Sequence, residues 1–266
     1  MTNRPLLLFI FLLVNSWCAN SQILQVDHRQ FANDTIHGWL GDFELGLSFN
    51  NQNSATDEED LFLLVSGRGN FSYFTQKDHY FSKNYFSYTE GGGTTFLSQG
   101  YSHFRVDLNY KKKFSPELFA QIQYDITRKM RLRAVSGIGY RYVFLRNEKA
   151  ELEYGLAGII EHEVWDPILE NQGTSRRTLP KLATYVGIYR NFSHVKLSFL
   201  QFYQVGYDPN DEVWRNRLSG TFEIDDEIVK NLHLVIRFNY DYDFDPIVDD
   251  LKKIFYALDN GIKYNF

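Results

Sequence analysis

Residues 232–244 read Leu232-His233-Leu234-Val235-Ile236-Arg237-Phe238-Asn239-Tyr240-Asp241-Tyr242-Asp243-Phe244. Every even position carries a large apolar or aromatic side chain, and every odd one except Val235 is polar. Successive side chains of an extended segment leave opposite faces, so a period of two makes a strand with one apolar and one polar face. The same alternation places Leu118, Ala120, Ile122, Tyr124 and Ile126 against Gln121, Gln123 and Asp125. It recurs with Phe104, Val106, Leu108 and Tyr110 against His103, Arg105, Asp107 and Asn109, and again over 131–144. No stretch of comparable length keeps a helical period.

About twelve segments of this kind run from Trp39 onward, near 38–50, 61–75, 78–90, 101–112, 117–127, 131–145, 150–164, 177–191, 194–206, 213–225, 230–244 and 252–266. An even strand number suits a bacterial membrane barrel, in which lipid-facing and lumen-facing residues alternate. The connections also alternate. Longer polar ones (50–60, 90–100, 165–176, 207–212, 245–251) are assigned to the outside and short ones (113–116, 146–149, 191–193, 226–229) to the periplasm. The connection at 127–130 is too short for its outer side.

One hairpin yields to arithmetic. If 131–145 and 150–164 pair antiparallel across a turn at 146–149, partners sum to about 294. Arg141 then faces Glu153, Arg133 faces Glu161 and Arg131 faces Glu163, an ion-pair ladder on one face. Gly139 and Gly137 meet Gly155 and Ala157, so the middle of that face is small. A slip of one residue would turn every side chain to the wrong side. The ladder therefore marks an enclosed polar lumen, with Phe119 and Phe255 on inward positions narrowing it.

The two ends fit this reading. Arg4 precedes an apolar run from Leu6 to Val14, and Ala19-Asn20-Ser21 offers small residues for cleavage, so 1–21 reads as a secretory signal peptide. The apolar run is too short to span a bilayer as a helix. Trp17 before Cys18 speaks against a lipoprotein signal. Residues 22–37 are then a short periplasmic segment and 38–266 the barrel. The last strand closes on Ile262, Tyr264 and Phe266, the aromatic ending of barrels that the outer-membrane assembly machinery receives.

Without its leader the chain carries 27 basic and 33 acidic residues. That mild acidity gives no support to nucleic-acid binding. Its 23 Phe, 18 Tyr and 4 Trp exceed ordinary usage, and a barrel needs aromatics both on its lipid face and in two interfacial girdles.

The segments Phe114-Ser115-Pro116-Glu117-Leu118-Phe119, Gln121-Ile122-Gln123-Tyr124-Asp125, Arg131-Leu132-Arg133, Gly137-Ile138-Gly139-Tyr140 and 151–163 together resemble the salt-induced outer-membrane protein family. Trp39-Leu40-Gly41 and the terminal Phe266 are similar too. The resemblance implies an outer-membrane barrel of unknown function linked to salt or osmotic stress. It implies no catalytic residue.

Motifs of chemistry are weak throughout. In a strand His162 points away from Glu161 and Glu163, so the three cannot share a metal. Asp241, Asp243, Asp245, Asp249 and Asp250 open like a calcium loop, but Pro246 occupies the turn position and no Glu closes it, which leaves a solvated rim. Gly91-Gly92-Gly93 lacks the Lys and Ser/Thr of a phosphate loop and reads as a flexible outer loop. Gly67-x-Gly69 and Gly137-x-Gly139 read as small residues relieving crowding. Adjacent Ser102 and His103 face opposite sides and cannot act together.

The expectation is thus an all-β, closed antiparallel transmembrane barrel of about twelve strands in a Gram-negative outer membrane. No catalytic residue, cofactor or metal is expected. Its partners would be membrane lipids, the assembly machinery and lipopolysaccharide at the outer rim. A structural or envelope-stress role ranks first, followed by a small passive porin, a lipid-acting enzyme and, last, a soluble sandwich.

Overall fold

A computed structural model describes residues 37–50, 62–91, 94–167, 173–247 and 251–266, without the side chains of 48–50 and 62. The signal peptide (1–21), residues 22–36 and the acidic Asp249 and Asp250 lie outside the described residues. Twelve strands are present: β1 (Gly38–Asn50), β2 (Phe62–Phe74), β3 (His79–Gly91), β4 (Thr94–Asp107), β5 (Phe114–Asp125), β6 (Met130–Asn147), β7 (Ala150–Trp165), β8 (Ser175–Phe192), β9 (Val195–Asp208), β10 (Val213–Val229), β11 (Leu232–Asp243) and β12 (Ile254–Asn265). Each pairs antiparallel with its chain neighbours, and β12 returns to β1, so the sheet closes into a barrel.

The alternation decides the two faces. Outward positions such as Leu118, Ile122, Ile138, Leu156, Ile160 and Leu182 are exposed. Inward positions such as Arg105, Asp107, Arg133, Arg141, Glu153 and Glu161 are buried. This inverts a soluble protein, as a barrel in lipid requires. Closure joins the first and last strands over Asp42–Leu45 and Ile262–Asn265, since an unpaired backbone group in hydrocarbon has no water to turn to. A 13-residue strand such as β1, rising about 3.3 Å per residue and tilted by about 40°, climbs roughly 33 Å, enough for the apolar band of an outer-membrane barrel.

Aromatic side chains gather at both ends of the outer wall. Near the termini, Trp39 packs on Tyr73 with ring centres 4.9 Å apart, and Phe114 stacks on Tyr140 at 4.8 Å. At the opposite end, Tyr207 meets Trp214 at 5.4 Å and Tyr242 meets Phe244 at 4.6 Å.

Two connections differ from expectation. The flexible outer loop expected at 90–100 is replaced by continuous strand, with β3 running to Gly91 and β4 starting at Thr94. Gly92 and Gly93 between them lie outside the described residues. The short connection after β5 closes as a compact turn: the Asp125 carboxylate accepts the Arg128 amide at 3.0 Å, and Lys129 takes a left-handed φ of 65°.

Candidate functional site

The chemistry of this molecule is concentrated in its lumen. Bringing ten or more charged side chains inside a barrel costs desolvation, which is offset only where each charge is paired and hydrogen-bonded. The lumen does this in several groups, among them three large ones and a smaller one in which Asp225 accepts from Lys263 and meets His233.

The first group lies on β6–β8, β10 and β11. Glu161 accepts from Arg133 and Lys181 in short ion pairs, and from Arg217 at 3.3 Å. Arg217 also binds Glu163 at 3.1 Å and Asp243 at 2.8 Å. Arg133 reaches Glu163 at 3.4 Å and donates to Gln204 of β9 at 3.2 Å. Three cations thus meet three carboxylates.

The second group lies towards the termini. Arg105 donates to Asp107 at 2.7 Å and pairs with Glu117 at 3.1 Å. His79 Nδ1 lies 3.1 Å from Asp107, and the Tyr185 hydroxyl donates to Glu117 at 2.7 Å. Arg141 completes the group, 3.6 Å from Glu153 and 3.8 Å from Glu117. Between the two charged groups sits an apolar belt of Val135, Ala157, Ile159 and Ala183, with Phe119 packed on it and on Tyr185, Leu200 and Phe202. Gly137 and Gly139 make room there: a Cβ on Gly137 would lie 2.6 Å from the Phe119 ring, and one on Gly139 would lie 2.6 Å from Ala157.

The third group joins the first and last strands. Arg68 contacts Glu44 at 3.4 Å and Asp259 at 3.1 Å, while Arg237 binds Glu44 at 3.5 Å and Glu223 at 2.6 Å. Farther out, at the mouth distant from the termini, Arg128 reaches from the β5–β6 turn to Asp241 on β11 at 3.0 Å. Its guanidinium lies 3.7 Å over the ring of Phe255 on β12. In a ring of twelve strands these lie on opposite walls, so this side chain crosses the mouth.

The arithmetic of the β6–β7 hairpin needs correction. Partners sum to 296 along most of the pair: Arg133 faces Glu163, Val135 faces Glu161, Gly139 faces Ala157, Arg141 faces Gly155 and Val143 faces Glu153. The strands run farther into the turn than expected because the Asn147 side chain closes it, accepting from the amides of Lys149 and Ala150 at 3.0 and 2.9 Å. A shift of two keeps the faces, so Arg133–Glu161 and Arg141–Glu153 meet as diagonal neighbours. Arg131 does not join them. A bulge between Met130 and Leu132 turns it out of the lumen, where it is 59% exposed and pairs with Asp166 at 2.6 Å.

Other expected features fall as follows. Asp241 and Asp243 are not a solvated rim: they are buried in the lumen against Arg128 and Arg217. Among the described residues no three His, Cys, Asp or Glu side chains are placed to hold a metal ion. His162 faces outward, 2.7 Å from the Thr178 hydroxyl, with Glu161 and Glu163 on the other face. Ser102 is on the outer wall bonded to Asn84, while His103 is fully buried in the lumen. Ile262, Tyr264 and Phe266 are exposed on the outside, and Phe266 exchanges backbone hydrogen bonds with Gly41. Sequence reasoning missed Lys181, Arg217, Arg105, Asp107 and Glu117 as ladder members. Their alternation put them on polar faces, but their partners lie on strands distant in the chain.

Solved structures with a similar outline are membrane barrels of low identity. The NanC porin shares 9% identity with a TM-score of 0.46, covering 85% of this chain and 97% of that one. The β domain of the Bordetella autotransporter BrkA shares 9% at 0.37, covering 86% and 97%. The outer-membrane channel DcaP of Acinetobacter baumannii shares 9% at 0.38, covering 86% and 96%. No curated protein sequence matches the chain. Residues 43–254, from the middle of β1 to the start of β12, match the family described as "Protein of unknown function, DUF481", and the chain belongs to that family.

Proposed function

We propose that this chain is a structural barrel of a Gram-negative outer membrane whose lumen is filled by its own side chains, serving the envelope under salt or osmotic stress. The observation that carries the reading is the bridging of opposite walls: Arg128 to Asp241 at one mouth, with Phe119, Tyr185 and Phe202 packed across the middle. Networks of paired charges and a packed belt support a lumen built for rigidity. The stress role rests on the resemblance of the 114–163 region to the salt-induced family. Under this reading the chain is not an enzyme, its outer wall is bathed in lipid, the terminal strand addresses the assembly machinery, and lipopolysaccharide surrounds the mouth farther from the termini.

Planar-bilayer recording of the refolded protein tests this, with heat-modifiable gel mobility as proof of folding. The expected result is an electrically silent barrel. Stable, ion-selective steps would replace this reading with that of a small passive porin.

A further inference from the structure

One stretch of the outer wall, at the end away from the termini, is cationic. The bulge of β6 turns Arg131 outward beside Leu132. Val164 of β7 faces Leu132 on one side and Arg176 of β8 on the other. Arg131 and Arg176 therefore flank Val164, two strand spacings or about 10 Å apart at the backbone. Both are exposed, and so is Lys129 on the turn before β6, whose carbonyl accepts the Asp166 amide at 2.7 Å. Asp166 pairs with Arg131, but among the described residues no carboxylate pairs with Arg176 or Lys129. A cation on a lipid-facing wall is tolerated near the interface and costly farther in.

Towards the middle of the wall the chemistry changes in order. Two residues along β7 and β8, His162 meets the Thr178 hydroxyl at 2.7 Å, both on the outer face. Beside and below them β6 presents only the small Ala134 and Ser136. Gly158 follows on β7, between the exposed Ile138 and Leu182. A Cβ on Gly158 would meet nothing within 4 Å. The small residues leave a shallow channel on an otherwise bulky apolar wall. Charge, then hydrogen-bonding groups, then an apolar channel is the sequence of parts in a phospholipid.

We propose that this stretch binds one anionic membrane lipid. Its phosphate sits between Arg131 and Arg176 with Lys129 beside them, its ester oxygens lie at the His162–Thr178 pair, and one acyl chain lies along Ala134, Ser136 and Gly158. The planar guanidinium fork matches a phosphate, and two of them approach it from opposite sides. A free phosphate would leave the channel unused, so the occupant is a lipid. The inference rests on the membrane reading of the outer wall.

The test refolds the full chain into phosphatidylcholine vesicles, with heat-modifiable mobility as proof of folding. A minor fraction of the lipid is phosphatidic acid, or phosphatidylcholine, carrying a diazirine on one acyl chain. After irradiation the labelled peptides are mapped. Over residues 156–164 and 176–182 the phosphatidic acid probe labels at least fivefold more than the phosphatidylcholine probe. R131Q/R176Q removes that preference, whereas R190Q, an exposed outward cation at the opposite end of β8, leaves it intact. Gly158→Leu keeps the cations, fills the channel and cuts phosphatidic acid labelling at least threefold, and excess inorganic phosphate does not displace the probe. Equal labelling by the two probes, a preference that survives R131Q/R176Q, or one that R190Q lowers as much overturns the site. Displacement by inorganic phosphate, with Gly158→Leu neutral, overturns the lipid as its occupant. A chain that does not fold into vesicles and takes label from neither probe would instead overturn the membrane reading.

Discussion

Replacing Glu161 by Gln removes one charge from the most tightly coupled group in the lumen while keeping its shape. In the native protein Arg133, Lys181 and Arg217 face Glu161, Glu163 and Asp243, a balanced set of three against three. Glu161 is 2% exposed and receives all three cations, so its loss leaves a buried cation without compensation. Breaking a buried pair in this one-sided way costs about 3–5 kcal/mol. Removing Arg133 as well, as R133L/E161Q, restores a two-against-two balance and should recover part of that cost. The coupling between the two sites is expected in the range of about 0.5–3 kcal/mol. Urea unfolding in vesicles, followed by tryptophan fluorescence, measures all four corners of the cycle. Strictly additive effects, or a Glu161→Gln cost below about 1 kcal/mol, would mean that water screens this group as it does surface pairs, and would refute the filled lumen.

Three further outcomes are expected. Gly155→Ala would drive a Cβ into the Tyr185 ring, displacing the donor to Glu117; overpacking of this kind costs about 1–3 kcal/mol, and G155A/Y185A should be less perturbed than the sum of its singles. Deleting Phe266 removes its mutual backbone bonds with Gly41, and because little other ladder joins β1 to β12, the barrel should lose heat-modifiable mobility at a lower temperature than the full chain. Brominated lipids should quench single-tryptophan variants retaining Trp39 (75% exposed) or Trp214 (61%) and leave Trp165 (1%) bright; quenching of Trp165 would reverse the assignment of faces.

The strands and their faces were legible because alternation is a local property, visible in 232–244 without knowledge of any partner. The ladder was only half legible. Parity survives a shift of two, so Arg133 and Glu161 were brought together correctly although their register was not. A bulge leaves no mark in composition, which is why Arg131 was placed inside. Lys181 and Arg217 were invisible to hairpin arithmetic, since they approach Glu161 from β8 and β10. Asp241 and Asp243 were assigned to the rim because their acidic neighbourhood continues into a connection, whereas their positions on β11 carry them inward. The connection expected over 90–100 was placed too long because Thr94–Gly100, polar at most positions, reads as loop although it is the start of β4.

The two bulges of β6 carry a consequence for how this gene can change length. Arg131 stands between inward Met130 and inward Arg133, and Phe144 is likewise passed over between Val143 and Leu145. Loss of either single codon would restore strict alternation and leave every other side chain on its present face. Loss of one codon between them, in the run from Ala134 to Tyr142, would turn half the strand inside out, exposing Arg133 or Arg141 to lipid. Length variation in this strand should therefore be tolerated at two points and purged between them.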